Sequence, residues 1–269
     1  MEILRVENLV KTFQISKVQQ KKLELPSNKK VAVDGISFET KSGEVFGILG
    51  PNGAGKTTTM RMLATLIKPD KGDIFYNNIS AVKSPEVVRS KFAFLTTDLK
   101  LDMKSTASNM FDFFAQLYHI PKEVAKKRKE ELFESFGITS YADTKISKLS
   151  QGMRQKVSLV ISVIHDPQFI IFDEPTNGLD IIAAKYVRDF ILQMKEKGKC
   201  VIISTHLFDL VERVCDRAAV IIEGKIVVND ILENLRQGKS IEDAFYDFYF
   251  NYEAKEQGGT KKRIVVIYQ

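Results

Sequence analysis

A glycine-rich segment at residues 50–58 constrains the fold of this chain more than any other feature. It follows an apolar run at residues 45–49, which is typical of a buried strand, and precedes a stretch with helical spacing of apolar residues. Those apolar residues are Met60, Leu63, Ala64 and Ile67. A strand that turns tightly into an amphipathic helix is a unit of α/β proteins. We therefore predict an α/β fold with this segment at the carboxyl end of a core strand.

The same segment has the composition of a phosphate-binding loop. Its residues are Gly50, Pro51, Asn52, Gly53, Ala54, Gly55, Lys56, Thr57 and Thr58, and they fit the P-loop pattern without a mismatch. Glycines let backbone N–H groups approach phosphate oxygens, and the following helix directs its positive dipole end at the same anion. In this pattern Lys56 reaches the β- and γ-phosphates, Thr57 binds Mg²⁺ and Thr58 contacts phosphate. The motif predicts a nucleoside triphosphate site, but it does not separate kinases, GTPases, helicases and transporters.

Two adjacent carboxylates, Asp173 and Glu174, end another apolar run at residues 169–172. Asp173 is a candidate Mg²⁺ ligand, and Glu174 can hold a water molecule and accept its proton. Taken alone, the pair would be an ordinary solvated strand end. Parallel strands present functional groups at their carboxyl ends, where the P-loop is also predicted to lie. Together with the P-loop, the pair indicates hydrolysis by water rather than transfer to a substrate hydroxyl.

The rest of the chain is predicted to form one main domain with an inserted helical part. Residues 1–240 form this domain, and residues from about 92 to 165 are rich in helix formers and are interpreted as an inserted helical subdomain. The polar stretch at residues 14–30 is predicted to be a mobile loop in an N-terminal sheet. Residues 241–269 are predicted to form a C-terminal helix and a weakly ordered tail at about 253–262.

The composition bounds the class of protein. Hydrophobic residues make up 44% and charged residues 28%, which is typical of a globular chain. No apolar run approaches the roughly 20 residues of a membrane span, and the first residues lack a secretory-signal pattern, so we expect the chain in the cytosol. Cys200 and Cys215 are expected to be free thiols. The net charge of +6 is clustered in polar segments that we interpret as solvated surface.

Three further segments resemble the ABC ATPase family. Residues 148–155, Lys-Leu-Ser-Gln-Gly-Met-Arg-Gln, resemble the family signature Leu-Ser-Gly-Gly-Gln. Residues 176–180, Thr-Asn-Gly-Leu-Asp, resemble its D-loop, and residues 204–206, Ser-Thr-His, resemble its switch histidine. Their order and spacing match the family throughout. The resemblance implies a P-loop NTPase fold with a RecA-like core, an N-terminal antiparallel β subdomain and an inserted helical subdomain, and it implies ATP and Mg²⁺ as cofactors.

The resemblance also implies a site shared between two subunits. Ser150, Gln151 and Gly152 lie where a helix is predicted to begin, which is a second anion-binding position that one chain does not need for one nucleotide. In the family, a head-to-tail dimer places these residues against the P-loop of the other subunit. Asp180 belongs to the D-loop that faces the same partner.

Two further site residues are implied by the family pattern. His206 would bridge the γ-phosphate, Glu174 and the D-loop of the partner, which completes a catalytic set with Lys56. Residues 11–13, Lys-Thr-Phe, resemble the A-loop, whose aromatic ring stacks on adenine, so Phe13 is the candidate ring. The chain has 18 phenylalanines, and most of them are expected in the core.

The sequence departs from the family pattern in the signature and in the Q-loop. Gln151 and Met153 replace the usual Gly and Gln of the signature, which is a mild change because the closest backbone approach is at Gly152. Thr97 stands where the family has a Gln that contacts Mg²⁺ and faces the membrane subunit. We expect Asp98, or a water held by Thr97, to take over the metal contact. The alternative is that this loop contacts only the permease.

Residues 240–245 resemble a closing helix that is frequent among exporter-type ATPases of the drug, sodium and antibiotic-efflux groups. The resemblance implies an ATP-hydrolysing subunit that powers a separate integral membrane permease from the cytoplasmic face of the cell membrane. A homodimer and a heterodimer with another ABC ATPase both fit, and no nucleic acid is expected.

Two alternatives remain beside the transporter reading. A soluble ABC ATPase that acts on nucleic acid or ribosomes usually has two ATPase modules, long coiled coils or zinc motifs, whereas this sequence has one P-loop and two cysteines. A nucleotide-gated regulator that hydrolyses weakly is disfavoured by the presence of Glu174 and His206, although Thr97 keeps it open.

Overall fold

Ten strands and ten α-helices make up the described part of the chain, which a computed structural model gives for residues 2–22, 27–96 and 101–256. The strands are β1 (Ile3–Gln14), β2 (Lys29–Lys41), β3 (Val45–Leu49), β4 (Lys71–Tyr76), β5 (Ile79–Ser80), β6 (Phe92–Thr96), β7 (Phe169–Asp173), β8 (Cys200–Thr205), β9 (Arg217–Ile222) and β10 (Lys225–Ile231). The helices are α1 (Lys17–Lys22), α2 (Lys56–Leu63), α3 (Pro85–Arg89), α4 (Ala107–Leu117), α5 (Lys122–Ser135), α6 (Gln151–Ser162), α7 (Ile181–Glu196), α8 (Phe208–Val214), α9 (Leu232–Arg236) and α10 (Ile241–Glu256).

These strands form two sheets, as the predicted fold class requires. The larger has the order β10-β9-β3-β8-β7-β6, and all of its strands except β10 run parallel. The smaller has the order β2-β1-β4-β5 and is entirely antiparallel. The parallel core and the N-terminal antiparallel β subdomain are therefore both confirmed.

An apolar core lies on each face of the larger sheet. Strand β3 contributes to both, because successive side chains of a strand point to opposite faces. Val45 and Leu49 belong to the core that also holds α4 to α8, whereas Phe46 and Ile48 belong to the core between the two sheets and α2. Burial on both faces explains why this strand reads as a continuous apolar run in the sequence.

The helical region begins later than the sequence suggests. Residues 92–96 form β6, the edge strand of the larger sheet, paired in parallel with β7. The helices of the insertion are α4, α5 and α6, and two 3₁₀ turns lie at Thr139–Tyr141 and Ile146–Lys148. A short apolar run of this kind cannot be assigned to strand or helix by periodicity alone. Pairing with β7 decides it, so the inserted region starts after this strand.

Two segments expected to be mobile or weakly ordered are in part regular. Within residues 14–30, Gln14 ends β1, residues 17–22 form α1, and β2 begins at Lys29. The ladder pairs Gln14 with Lys29, which extends the sheet into this polar stretch. Residues 253–256 belong to α10, and the tail after residue 256 lies outside the described residues.

Both cysteines are free, as expected, and both are buried. Burial raises the pKa of the Cys200 thiol to about 12, and it also raises the pKa of Cys215. Among the described helices, none is long and apolar enough to cross a bilayer.

Candidate functional site

The glycine-rich loop joins β3 to α2 and contains two glycines with left-handed backbone. Gly53 has a φ of 84° and Gly55 a φ of 105°. A Cβ atom on Gly55 would lie 2.3 Å from the carbonyl oxygen of Ala32, so a side chain there would displace backbone. The loop therefore approaches β2 closely, and Lys56 becomes the first residue of α2.

The side chain of Lys56 is held against its own loop. The residue is only 4% exposed, and its Nζ donates to the carbonyl oxygens of Gly50 at 2.8 Å and Pro51 at 3.3 Å. The same atom lies 3.2 Å from Oε1 of Glu174. A buried ammonium requires such partners, and here it supplies positive charge at the phosphate-binding loop.

Thr57 and Asp173, the two predicted metal ligands within the described residues, lie next to each other. Thr57 Oγ1 donates to Oδ1 of Asp173 at 3.3 Å. Ser204 Oγ donates to the same oxygen at 2.5 Å, because β7 and β8 are parallel neighbours that pair these two residues directly. Ser204 therefore orients the carboxylate of Asp173 towards the start of α2.

Glu174 has a backbone conformation that is uncommon for a residue with a Cβ atom. Its φ is 50°, and its N–H donates to the carbonyl oxygen of Ser204 at 3.0 Å. Oε2 accepts a hydrogen bond from Nδ1 of His206 at 3.0 Å. Both carboxylate oxygens thus have a partner, which holds the side chain between Lys56 and His206.

Lys56, Thr57, Glu174 and His206 line one cavity of about 470 Å³. Phe13 lies on its wall, 40% exposed, with the Nζ of Lys11 5.7 Å from the ring centroid. An accessible aromatic face of this kind is suited to stacking on a planar base. The lining residues are Phe13, Lys30, Ala32, Asn52, Gly53, Gly55, Lys56, Thr57, Thr58, Glu174, Asn177 and His206.

The structure brings Phe13, Glu174, His206 and six residues of the P-loop to this cavity. Gly50, Pro51, Ala54 and Asp173 do not line it. Gly50 and Pro51 hold Lys56 from behind, and Ala54 is buried and accepts a hydrogen bond from the N–H of Gly224 at 2.9 Å.

Four contributors were not predicted as site residues, and one of them is Ala32 of β2, which lies against the P-loop. Lys30 is the cross-strand partner of Phe13, which only the pairing of β1 and β2 reveals. Asn177 and Ser204 lie within the segments that resemble the D-loop and the switch histidine, but the sequence assigns neither of them a contact. The proximity of Ser204 to the P-loop side depends on strand order, which the sequence does not specify.

The signature residues and Asp180 lie on a different surface of the chain. Ser150 caps α6, accepting from the N–H of Met153 at 3.2 Å, and Asp180 caps α7, accepting from the N–H groups of Ile182 and Ala183 at 2.9 and 2.8 Å. These caps line a second cavity of about 770 Å³, which shares no residue with the first. Its lining residues are Tyr141, Ser150, Gln151, Gly152, Met153, Lys156, Leu179, Asp180, Ile181, Ile182 and Tyr186.

The D-loop side of this second surface is apolar and strongly exposed. Ile181 is 88% exposed and Ile182 is 65% exposed. Large apolar side chains at this level of exposure mark a surface that is suited to contact with another protein. Thr97 and Asp98, the Q-loop candidates, lie outside the described residues.

Residues 33–177, more than half of the chain, match the family described as ABC transporter. This chain belongs to that family. As an ABC ATPase, it binds and hydrolyses ATP as the ATP-binding subunit of a transporter.

Individual relatives agree with this assignment. The ABC transporter ATP-binding protein NatA of Bacillus subtilis is 39% identical over 218 residues, 81% of this chain and 89% of that protein. The Nod factor export ATP-binding protein I of Neorhizobium galegae is 33% identical over 198 residues, 74% of this chain and 57% of that protein. A solved structure described as an ATP binding subunit of an ABC transporter superposes with a TM-score of 0.77 at 25% identity, covering 92% of this ABC ATPase and 99% of that chain.

Proposed function

We propose that this ABC ATPase binds Mg-ATP between two subunits and drives an integral membrane permease that exports its substrate. One observation supports a site formed by two subunits. Lys56, Glu174 and His206 line one cavity, whereas Ser150 and Asp180 line another surface of the same chain. Two anion-binding helix starts on separate surfaces can meet one nucleotide only when a second subunit faces the first.

In this arrangement the γ-phosphate contacts Lys56 of one subunit and Ser150 of the other. Glu174 holds the attacking water and accepts its proton as the water oxygen bonds to the γ-phosphorus. The bond from the γ-phosphorus to the bridging oxygen then breaks, which gives ADP and inorganic phosphate. His206 donates to Glu174, and this contact keeps the carboxylate aimed at the water.

The described residues fit Mg²⁺ beside this phosphate. Thr57 and Asp173 supply adjacent oxygen atoms, which are the hard ligands that Mg²⁺ prefers, and nucleotide phosphates and waters usually complete its shell. No group of three or more His, Cys, Asp or Glu side chains within the described ranges forms a protein-only metal cage. When bound, the ion would neutralise charge that develops on the phosphate oxygens. Asp98 remains a sequence-based candidate for a further oxygen ligand.

The permease contact is proposed on the helical region. Phe113 and Leu117 lie one turn apart on α4, and they are 61% and 60% exposed. They present an apolar stripe outside both nucleotide cavities. Such a stripe is suited to a helical segment of a membrane subunit on the cytoplasmic face. The export direction is supported by the relative named for Nod factor export.

Mixed dimers test the two-subunit site. Lys56→Ala and Ser150→Arg each damage one half of every composite site, so each protein alone should have strongly reduced ATPase activity. A mixture should recover ATPase activity, because the P-loop of one variant meets the intact signature of the other. No recovery at any mixing ratio would contradict the composite site.

The permease proposal is tested by purification from native membranes. A tagged chain should elute with an integral membrane protein, and Phe113→Asp should release that protein while leaving basal ATPase activity intact. Elution with ribosomes or nucleic acid instead would favour the soluble alternative.

A further inference from the structure

One aromatic ring connects the signature helix to the helix after the D-loop. A Cβ atom on Gly152 would lie 3.5 Å from Cε2 and 3.9 Å from Cδ2 of Tyr186. The Nζ of Lys156 lies 3.9 Å from the centroid of the same ring. Gly152 and Lys156 are four residues apart in α6 and therefore share one helix face. Tyr186 thus packs on the signature backbone while Lys156 covers its π face.

Lys156 also reaches the end of another helix. Its Nζ lies 3.8 Å from the position that a Cβ on Gly137 would occupy, just after the C-terminus of α5. A cation is favoured near the carbonyl end of a helix. The ammonium group therefore lies where α5, α6 and the Tyr186 ring of α7 meet.

The position of Tyr186 is tied to that of Asp180. The carboxylate of Asp180 caps α7 through bonds to the N–H groups of Ile182 and Ala183. Tyr186 follows six residues later in the same helix, less than two turns away. A rigid helix segment therefore carries both the D-loop carboxylate and the ring that touches the signature.

We propose that Tyr186 is a positioning residue for ATP hydrolysis, and that Lys156 holds its ring in place. The ring keeps Gly152 and Asp180 at a fixed separation on the surface that faces the nucleotide of the other subunit. That nucleotide then meets the signature and the D-loop together rather than one at a time. This inference rests on the two-subunit site proposed above.

The ring is not needed to hold α6 and α7 together. Val157 and Val160 of α6 and Val187 and Phe190 of α7 are at most 1% exposed and belong to the same apolar core. Tyr186 lies outside that core and lines the open cavity. A truncated side chain at this position should therefore leave the fold intact and affect the geometry of the surface.

The test compares Tyr186→Ala with Tyr186→Phe in a Glu174→Gln background, where turnover of bound ATP should be strongly slowed. The measurement is the ATP concentration at which half of the protein is dimeric by light scattering. Tyr186→Ala should raise it by about tenfold, whereas Tyr186→Phe should stay within about twofold, since coupling between contacting side chains is commonly of this size. Binding of a fluorescent ATP analogue to dilute monomer should be the same for both, because the P-loop lies on the other surface.

The Lys156→Met variant tests the same proposal independently. It should raise the same ATP concentration with only a small change in Tm, and it should add nothing to that concentration when Tyr186 is already Ala, because the pair acts as one unit. Tyr118→Ala is the matched control. The ring of Tyr118 stacks on that of His165 at the C-terminus of α4, with 4.3 Å between the centroids, and it lines neither nucleotide cavity. The Tyr118→Ala variant should therefore dimerise like the Glu174→Gln parent.

The outcomes separate the two proposals. If the Glu174→Gln parent forms no ATP-dependent dimer, the two-subunit site fails, and this inference fails with it. If the parent forms the dimer and Tyr186→Ala forms it at the same ATP concentration as Tyr186→Phe, only the positioning role is overturned. Should Tyr186→Ala not fold, Lys156→Met decides the question: an unchanged ATP concentration for dimer formation would overturn the proposal.

Discussion

The Oε1 atom of Glu174 lies 3.2 Å from the Nζ atom of Lys56. The two side chains are 18% and 5% exposed, so the ion pair is screened less than a surface pair would be. Because the other carboxylate oxygen accepts from His206, Glu174 connects the P-loop cation to the end of β8. A γ-phosphate that binds Lys56 must share this cation with the carboxylate. Binding of the triphosphate and positioning of the proposed base are therefore linked through one ammonium group.

Lys56→Ala should lower ATP affinity or turnover by about tenfold or more, because it removes a charged hydrogen-bond donor from the phosphates. The measurements are a titration with a fluorescent ATP analogue and a phosphate-release assay. Lys239→Ala is the control, since that exposed lysine pairs with Asp247 and lies outside both cavities. Normal turnover in Lys56→Ala would refute the P-loop assignment.

Ser150→Arg should stop turnover while nucleotide binding by the monomer stays intact, because Ser150 acts on the ATP of the other subunit. Ser240→Arg is a matched control for the lost helix cap. Ser240 caps α10 as Ser150 caps α6, accepting from the N–H of Asp243 at 3.1 Å. Both variants should lose about 1 kcal/mol of unfolding free energy, but only Ser150→Arg should lose activity. Weakened ATP binding by monomeric Ser150→Arg would show that the residue acts on its own nucleotide.

Contiguous motifs made much of this site predictable. Lys56 and Thr57 follow from one unbroken pattern, and Asp173 and Glu174 follow from a strand that ends in carboxylates. Ser204 could not be assigned a contact, because its bond to Asp173 depends on β8 lying beside β7.

The other features that the sequence did not predict also depend on contacts between residues far apart in the chain. The pairing of Phe13 with Lys30 depends on sheet register, and the predicted helical region begins at about residue 92, where the structure has β6. Tyr186 does not belong to any of the recognised sequence motifs. Only the packing of α7 against Gly152 draws attention to it.

The altered Q-loop predicts a change in metal requirement. If Asp98 helps to hold Mg²⁺, Asp98→Ala should raise the Mg²⁺ concentration needed for half-maximal ATPase rate, because an oxygen ligand is lost. Thr97→Gln should be tolerated or should speed basal hydrolysis. Asp102→Ala is the control, since that carboxylate accepts from the N–H of Lys104 at 3.0 Å in a local turn. An unchanged Mg²⁺ requirement in Asp98→Ala, with transport lost only when the permease is present, would leave the loop as a coupling surface.

His165 predicts a pH-dependent term in stability. Burial lowers the pKa of His165 below its usual 6.5, and Arg128 and Lys199 add to this, against the backbone bond to Phe92 and the charge of Asp166, which raise it. Its Nε2 donates to the carbonyl oxygen of Phe92 at 3.1 Å, and Nδ1 has no partner among the described residues, so a second proton would be buried unpaired.

The sign follows from proton uptake. The unfolded chain binds this proton at a higher pH than the folded one, so the stabilisation is complete above pH 6.5 and declines as the pH falls towards the folded pKa. His165→Gln retains an N–H donor but does not titrate. Urea unfolding at about pH 7.5 and about pH 5.5 should show a smaller loss of unfolding free energy in His165→Gln than in the wild type. Equal losses in the two proteins would contradict this contribution.

Glu174→Gln tests the central claim, which is that ATP is bound between two subunits and hydrolysed with Glu174 as the base. Loss of a general base should slow hydrolysis by about 10² or more, while the amide leaves the phosphate site intact. Uncleaved ATP should then hold two subunits together. The same variant with Ser150→Arg added should bind ATP and stay monomeric. The measurement is the molar mass of Glu174→Gln by light scattering with and without Mg-ATP: we expect a dimer with ATP and a monomer without it, and an ATP-independent mass would contradict the account.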